Sequence, residues 1–261
     1  MGSLRLSVAQ TPAELDTTDA RLNWLCEHLP QVASERADLL LLPELFACGY
    51  NIGETVVARA ESLDGPIRAA ISKLAQQFGI AICYGFAERS GNDLFNAAVT
   101  LSTKGEVLSL QRKLAIPPGY EKDHFTAGQG CAVFECGDFK IATLICYDAE
   151  FPETVRNVAG MGADLVLVPT ALSTGWSWVA HKMIPTRAYE NGVYLAYANS
   201  AGVENGMAYL GASVIAAPDG EEIARAGAAP QIIYANLEKQ RVAAAQSRLP
   251  YLNDRHRLNL S

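Results

Sequence analysis

The chain has 261 residues, 49% of them hydrophobic and 19% charged, with a formal net charge of −7 from 21 basic and 28 acidic side chains. This is the composition of a globular protein with a sizeable core, and an acidic balance without clustered Lys and Arg argues against a nucleic-acid partner. No apolar run approaches the roughly 18 residues of a membrane helix, and Met1 to Gln10 lacks the charged and apolar regions of a signal peptide, so a soluble cytoplasmic protein without membrane contact is expected.

Leu4 to Ala9 alternates as a strand does, and Leu15 to Arg36 carries Leu22, Leu25, Leu29 and Val32 at helical spacing, with Pro30 expected to interrupt it. Asp38 to Glu44 is an apolar strand stopped at Pro43, and Leu45 to Gly53 a loop. Gly65-Pro66 opens a helix through about Phe78, and Gly79 ends it. Ile80 to Phe86 is a strand; Phe95 to Leu101 and Val107 to Leu110 form a hairpin turned at residues 103–106. Arg112 to Gly130 is a long loop rich in Pro, Gly and aromatics, and such loops in compact domains are usually functional. Ile141 to Ile145 is a short buried strand that ends at Cys146, and Asp148, Glu150, Pro152 and Glu153 have the composition of a first helical turn. Asp164 to Pro169 is a strand, Trp176 to Asn191 largely helical, and Val193 to Asn199 and Gly211 to Ala216 are strands. Pro218-Asp219-Gly220 signals a turn. Ile232 to Leu237 is a last strand and Leu237 to Ala245 a short helix; the polar tail, residues 247–261, is expected to pack at a subunit interface.

Ala37 to Pro43 and Ala163 to Pro169 share the pattern A-D-L-x-L-x-P, each between a helical segment and a later strand. Two similar β-α-β halves follow, hence two facing sheets with helices outside and a site between the halves. No linker divides the chain, so residues 1–261 are taken as a single domain.

Six cysteines are scattered without a C-x-x-C pair and four histidines are dispersed, which points to a reduced protein without a metal site or cofactor. Cys146 differs from the other cysteines by its place at the carboxyl end of a strand, where open sheets put their ligands. A helix N-terminus just after it is expected to lower the thiol pKa. A thiol nucleophile needs a base, and a buried carboxylate can serve; the oxyanion it creates needs a positive or hydrogen-bonding group. Glu44, directly after a buried strand, and Lys113, at the start of the long loop, fit those roles, and Glu121 is a candidate second carboxylate. Taken singly, each has an ordinary explanation, as a helix-cap neighbour, a solvated loop charge or a surface acid.

L-L-L-L-P-E-L-F-A-C-G-Y (39–50), R-K-L-A-I-P-P-G-Y-E (112–121) and L-I-C-Y-D-A-E-F-P-E (144–153) resemble, in order, the three signature blocks of the nitrilase superfamily of carbon–nitrogen hydrolases. Residues 187–199 and 211–220 are similar to two further blocks. The resemblance implies an α/β fold, a four-layer α-β-β-α sandwich that dimerises through a helical face. It implies a Glu44–Lys113–Cys146 triad, with Glu121 helping to hold substrate and Lys. Cys-Tyr-Asp at 146–148 is similar to the amidase branches, and G-Y-N-I-G (49–53) with P-Y-L-N-D (250–254) looks most like small-amide hydrolases such as 5-aminovaleramidases and R-selective amidases. One departure is Ala115, where many relatives have His. The expectation is therefore an amidase acting on a small aliphatic amide, amine-bearing ones included, through a cysteine thioester, with Tyr50, Tyr120, Tyr147 and Trp176 as pocket residues. An N-carbamoyl hydrolase, a nitrilase and a non-catalytic small-molecule binder are the alternatives.

Overall fold

The computed structural model describes residues 2–259. Its strands are β1 (Ser3–Pro12), β2 (Leu39–Leu41), β3 (Ala81–Ser90), β4 (Asp93–Leu101), β5 (Val107–Arg112), β6 (Val133–Cys136), β7 (Phe139–Thr143), β8 (Leu165–Pro169), β9 (Tyr194–Ala198), β10 (Ser200–Glu204), β11 (Met207–Leu210), β12 (Val214–Ala216), β13 (Glu222–Arg225) and β14 (Gln231–Glu238). Its α-helices are α1 (Thr18–Ser34), α2 (Thr55–Arg59), α3 (Pro66–Phe78), α4 (Tyr120–His124), α5 (Pro152–Gly160), α6 (Ile184–Asn191), α7 (Lys239–Arg248) and α8 (Tyr251–Asp254). Among the described residues, one sheet runs β11-β10-β1-β2-β3-β4-β5, with β14 antiparallel to β1, and the other runs β13-β12-β9-β8-β7-β6.

The side-chain alternation of the strands explains why the two sheets must face one another. Leu39 and Leu41 point to one side and pack with Leu6, Ile141, Leu165, Leu167 and Tyr194 in a core shared by both sheets. Leu40 and Leu42 point the opposite way, onto Leu25, Leu29 and Ile71 of α1 and α3. In the other half Val166 and Val168 meet Val155, Val158, Ile184 and Ala188 of α5 and α6. Successive side chains of a strand face opposite sides, and strands covered on both faces are apolar throughout. The result is the four-layer α-β-β-α sandwich.

The repeated A-D-L-x-L-x-P pattern is a repeat in space. β1, β2 and β3 run parallel, as do β7, β8 and β9. Asp38 Oδ2 accepts from Arg5 N (2.7 Å) at the start of one unit, and Asp164 Oδ2 accepts from Lys140 N (2.8 Å) at the start of the other. The backbone of each aspartate bridges the same flanking strands: Asp38 N to Arg5 O and Ala81 N to Asp38 O, matched by Asp164 N to Lys140 O and Tyr194 N to Asp164 O.

Several boundaries differ from the sequence expectation. Pro30 lies inside α1 rather than interrupting it. Leu29 and Val32, on either side of it, are both fully buried, so the packed face carries the helix across the missing N–H. Residues 176–191 are largely helical as expected, with one wide π-helical turn at Val179–Met183 before α6, whose first turn holds Pro185, a residue with no N–H to continue the ladder. The long loop contains α4. The tail of the chain folds onto its own α-layer, with Tyr251 against Tyr189 and Leu252 packed on the α5–α6 cluster; residues 260 and 261 lie outside the described residues.

Because the two aspartates serve separate units, Asp38→Ala and Asp164→Ala should each cost about 1–3 kcal/mol, the scale of a strand-edge amide left unpaired. Their effects should add in the double variant to within about 0.5 kcal/mol, as read from denaturant midpoints.

Candidate active site

Three loops at the carboxyl ends of strands supply the site. Glu44 follows β2, in a backbone clamped by Gly85 N to Pro43 O (3.2 Å) and Ala47 N to Gly85 O (3.0 Å). The clamp is tight enough that a Cβ on Gly85 would lie 2.3 Å from Leu45 N. Lys113 leaves β5 with its N–H on Asn96 O (2.8 Å) and its C=O on Gly128 N (2.7 Å). Cys146 follows β7 and opens a one-turn 3-10 segment, Cys146–Glu150, before α5. Leu45 and Cys146 both sit at positive φ, 49° and 47°. Non-glycine residues rarely adopt that conformation, and it persists where surrounding structure enforces it.

The enforcing group at Cys146 is Asp148. Its buried carboxylate accepts from Ile145 N (3.1 Å), Leu114 N (3.0 Å) and Ala115 N (2.8 Å). One side chain therefore ties the Cys146 turn to the segment that carries Lys113. At Ala115, where many relatives have His, the contact is made by the backbone N–H.

Lys113 is the centre of the side-chain cluster. Its side chain is 0% exposed, and Nζ donates to Glu44 Oε1 (2.7 Å) and to Glu121 Oε1 and Oε2 (2.6 and 2.7 Å). Asn96 Nδ2 bridges the same two carboxylates, at 2.7 Å from Glu44 Oε1 and 3.0 Å from Glu121 Oε2. Tyr50 Oη donates to Glu121 Oε1 (2.8 Å). Glu44 Oε2 and Asn96 Oδ1 are buried without a hydrogen-bond partner, and of the two only the carboxylate oxygen can take up a proton near neutral pH.

The carbon–nitrogen hydrolase family model matches residues 5–247. This chain belongs to the carbon–nitrogen hydrolase family, the nitrilase superfamily. A hydrolase of Pseudomonas protegens is 43% identical over 88% of this chain and 82% of its own length. An (R)-stereoselective amidase of a Pseudomonas species is 30% identical over 86% of this chain and 81% of its own. The solved structure of an amidase from Nesterenkonia sp. superposes with a TM-score of 0.82 at 31% identity, covering 98% of this chain and 96% of that one. Another structure of that amidase carries acrylamide added at its active-site cysteine.

The electrostatics of this carbon–nitrogen hydrolase follow from burial. Burial pushes the Glu44 carboxyl up to about 7; Lys113 opposes the shift and Glu121 adds to it. Burial also works against the charge of Lys113, but Glu44, Cys146 and Glu121 outweigh it and hold the ammonium above its ordinary range. The Cys146 thiol is raised, first by burial and then by Glu44, with Lys113 and a hydrogen bond to Thr170 pulling the other way. This corrects the expectation of a lowered thiol pKa. The intervening 3-10 turn sets Cys146 back from the start of α5, and the nearest carboxylates disfavour a thiolate.

The structure thus brings together Glu44, Lys113 and Glu121 by direct contact, and Cys146 by mutual electrostatic influence with Glu44, Lys113 and Glu121. Tyr50 joins them through Glu121, and Tyr120 packs its ring on Tyr50 at 5.8 Å. Tyr147, next to Cys146, turns its ring onto Phe151 at 4.9 Å. Trp176 is 64% exposed on the turn Thr174–Trp176 and takes no part in the contacts of this cluster. Sequence reasoning missed Asn96 as a site residue and took Asp148 only as a helix-start acid. The signal for Asn96 was a lone amide inside the apolar run Phe95 to Leu101.

A general base with a pKa near 7 must be ionised to take the thiol proton, so reactivity rises with pH through that value. Alkylation of Cys146 by iodoacetamide, followed on its peptide by mass spectrometry, should therefore show a limb with an apparent pKa of about 7. Glu44→Gln should abolish the limb and slow alkylation at pH 8. A parent profile that is flat from pH 5.5 to 8 contradicts the assignment.

Proposed function

We propose that this carbon–nitrogen hydrolase is an amidase that converts a small aliphatic amide to carboxylic acid and ammonia through a thioester on Cys146. The observation that carries the reading is the asymmetry of Glu44. Its Oε1 is held by Lys113 and Asn96, while its buried Oε2 has no partner and is left to accept a proton.

In this reading Cys146 Sγ attacks the amide carbonyl carbon as Glu44 takes the thiol proton. The sulfur–carbon bond forms, and the carbonyl electron pair moves onto oxygen, where Lys113 and the backbone N–H of Tyr147 stabilise it. The tetrahedral intermediate collapses, breaking the carbon–nitrogen bond, and Glu44 returns its proton to the departing ammonia. Water, deprotonated by the same carboxylate, then cleaves the thioester and restores the thiol. A group with a pKa near neutrality is suited to both giving and taking this proton. Lys113 stays charged throughout, and Glu121 keeps it aimed.

The cluster's two glutamates outnumber its one ammonium, so the local field favours neutral or amine-bearing amides over those with a second carboxylate. We take the protein as cytoplasmic and as a homodimer, through the outer face of the α-layer where Phe151, Met161, Tyr189 and Tyr251 are exposed. No helix among the described residues is long and apolar enough to cross a membrane.

Incubation with short aliphatic amides should release ammonia, and rapid quenching should trap an acyl adduct on the Cys146 peptide. Cys146→Ala should lose at least about a thousandfold in rate, the scale seen when a nucleophile is removed, with an unchanged circular dichroism spectrum. Faster turnover of N-carbamoyl compounds or nitriles than of the matching amides would redirect the substrate assignment, and ammonia release by Cys146→Ala at the parent rate would refute the mechanism.

A further inference from the structure

Glu204 lies outside the triad, at the end of β10, yet its carboxylate gathers the loop that delivers Tyr50. The side chain is 8% exposed. Its Oε1 accepts from Arg21 Nη2 of α1 at 2.8 Å. Its Oε2 accepts from Tyr50 N (3.1 Å), Asn51 N (2.7 Å) and Tyr209 Oη (2.6 Å). Asn51 and Asn205 exchange side-chain amide bonds with each other's backbone carbonyls, which fixes the same two segments a second time. Gly49 has φ 96°, and a Cβ there would stand 2.7 Å from Glu204 Oε1, so only glycine lets the loop come this close. Beside this seat lies a cavity of about 480 Å³ lined by Ile52, Thr55, Arg59, Glu204 and Asn205.

From this seat the Tyr50 side chain reaches back to Glu121 Oε1 at 2.8 Å, and Glu121 holds Lys113. A continuous path runs from Arg21 and Glu204, through the Tyr50 backbone and phenol, to Glu121 and the ammonium beside Cys146. We propose that Glu204 is a positioning residue for the triad: it seats the 49–51 loop so that Tyr50 can orient Glu121 and, through it, Lys113. The proposal rests on the site described above but not on which carbon–nitrogen bond is cleaved.

The test is a double-mutant cycle. The rate of Cys146 alkylation by iodoacetamide is measured by mass spectrometry, with kcat and KM for amide hydrolysis beside it, in Tyr50→Phe, Glu204→Ala and the double variant. Tyr50→Phe should slow alkylation and kcat by about tenfold, the scale of one hydrogen bond to a charged group. Glu204→Ala should slow both by a similar factor, moving KM less, yet by less than about twofold further when Tyr50 is already Phe, since residues that act through one another are not additive. Gly49→Ala, which crowds the same seat without removing the buried charge, should reproduce this pattern and serves if Glu204→Ala folds poorly. Equal fold-losses in both backgrounds would show Glu204 acting independently of Tyr50 and overturn the proposal. So would parent-like alkylation in both seat variants. Alkylation needs no substrate, so a failure of the amidase reading, seen as no ammonia from any amide, stays distinct from a failure of the positioning role.

Discussion

A buried ammonium between two buried carboxylates is the constraint on which the rest of this molecule turns. Lys113 has no exposed side-chain surface, and removing a charge from water costs several kcal/mol unless partners replace the water. Glu44 and Glu121 supply those partners, but three charges do not balance. One excess negative charge remains, and burial directs it onto Glu44 as a raised proton affinity. The raised proton affinity of Glu44 is therefore a product of the same packing that buries the lysine. Its ionisation also opposes folding. The folded state keeps a proton on Glu44 that the unfolded chain gives up near pH 4.5, so this group's contribution to stability falls as pH rises toward about 7. Taking away Lys113 would leave two buried carboxylates without their cation, a change that typically costs about 3–5 kcal/mol.

The two-layer sheet core makes that arrangement possible. Glu44 follows β2, and Cys146 follows β7, a strand of the opposite sheet, while Lys113 leaves the end of β5. Facing the sheets across a common core points these strand ends into one region. Glu44 N even donates across the halves to Thr170 O (3.4 Å), and Thr170 in turn reaches the Cys146 thiol. Positive φ at Leu45 and Cys146 is the local cost of turning both chains sharply at this junction.

Much of this was legible in the chain itself because strand alternation and the A-D-L-x-L-x-P echo are short-range patterns. Gly79 at φ 67° ends α3 where expected, and Gly105 turns the β4–β5 hairpin. Glu44, Lys113, Glu121 and Cys146 were marked by their places at strand ends and by the resemblance of their blocks. What stayed hidden depends on partners far along the chain. Asn96 matters only because Glu44 and Glu121 arrive from 52 positions before it and 25 after it. Asp148 looks like a helix-start acid until Leu114 and Ala115 are placed beside it. The thiol pKa was misjudged because sequence adjacency to α5 suggested a dipole effect, whereas nearby carboxylates and burial decide it. The β10–β11 hairpin carried an Asn205-Gly206 turn signal that went unread, and with it Glu204.

The central claim is that the packing around Lys113 leaves Glu44 as a proton carrier near neutrality. An infrared titration of the resting protein, with the Glu44 carboxyl identified by its loss in Glu44→Gln, measures this directly. The account predicts a protonated carboxyl band that disappears with a midpoint of about 7. A Glu44 carboxylate already fully ionised at pH 5 would contradict it.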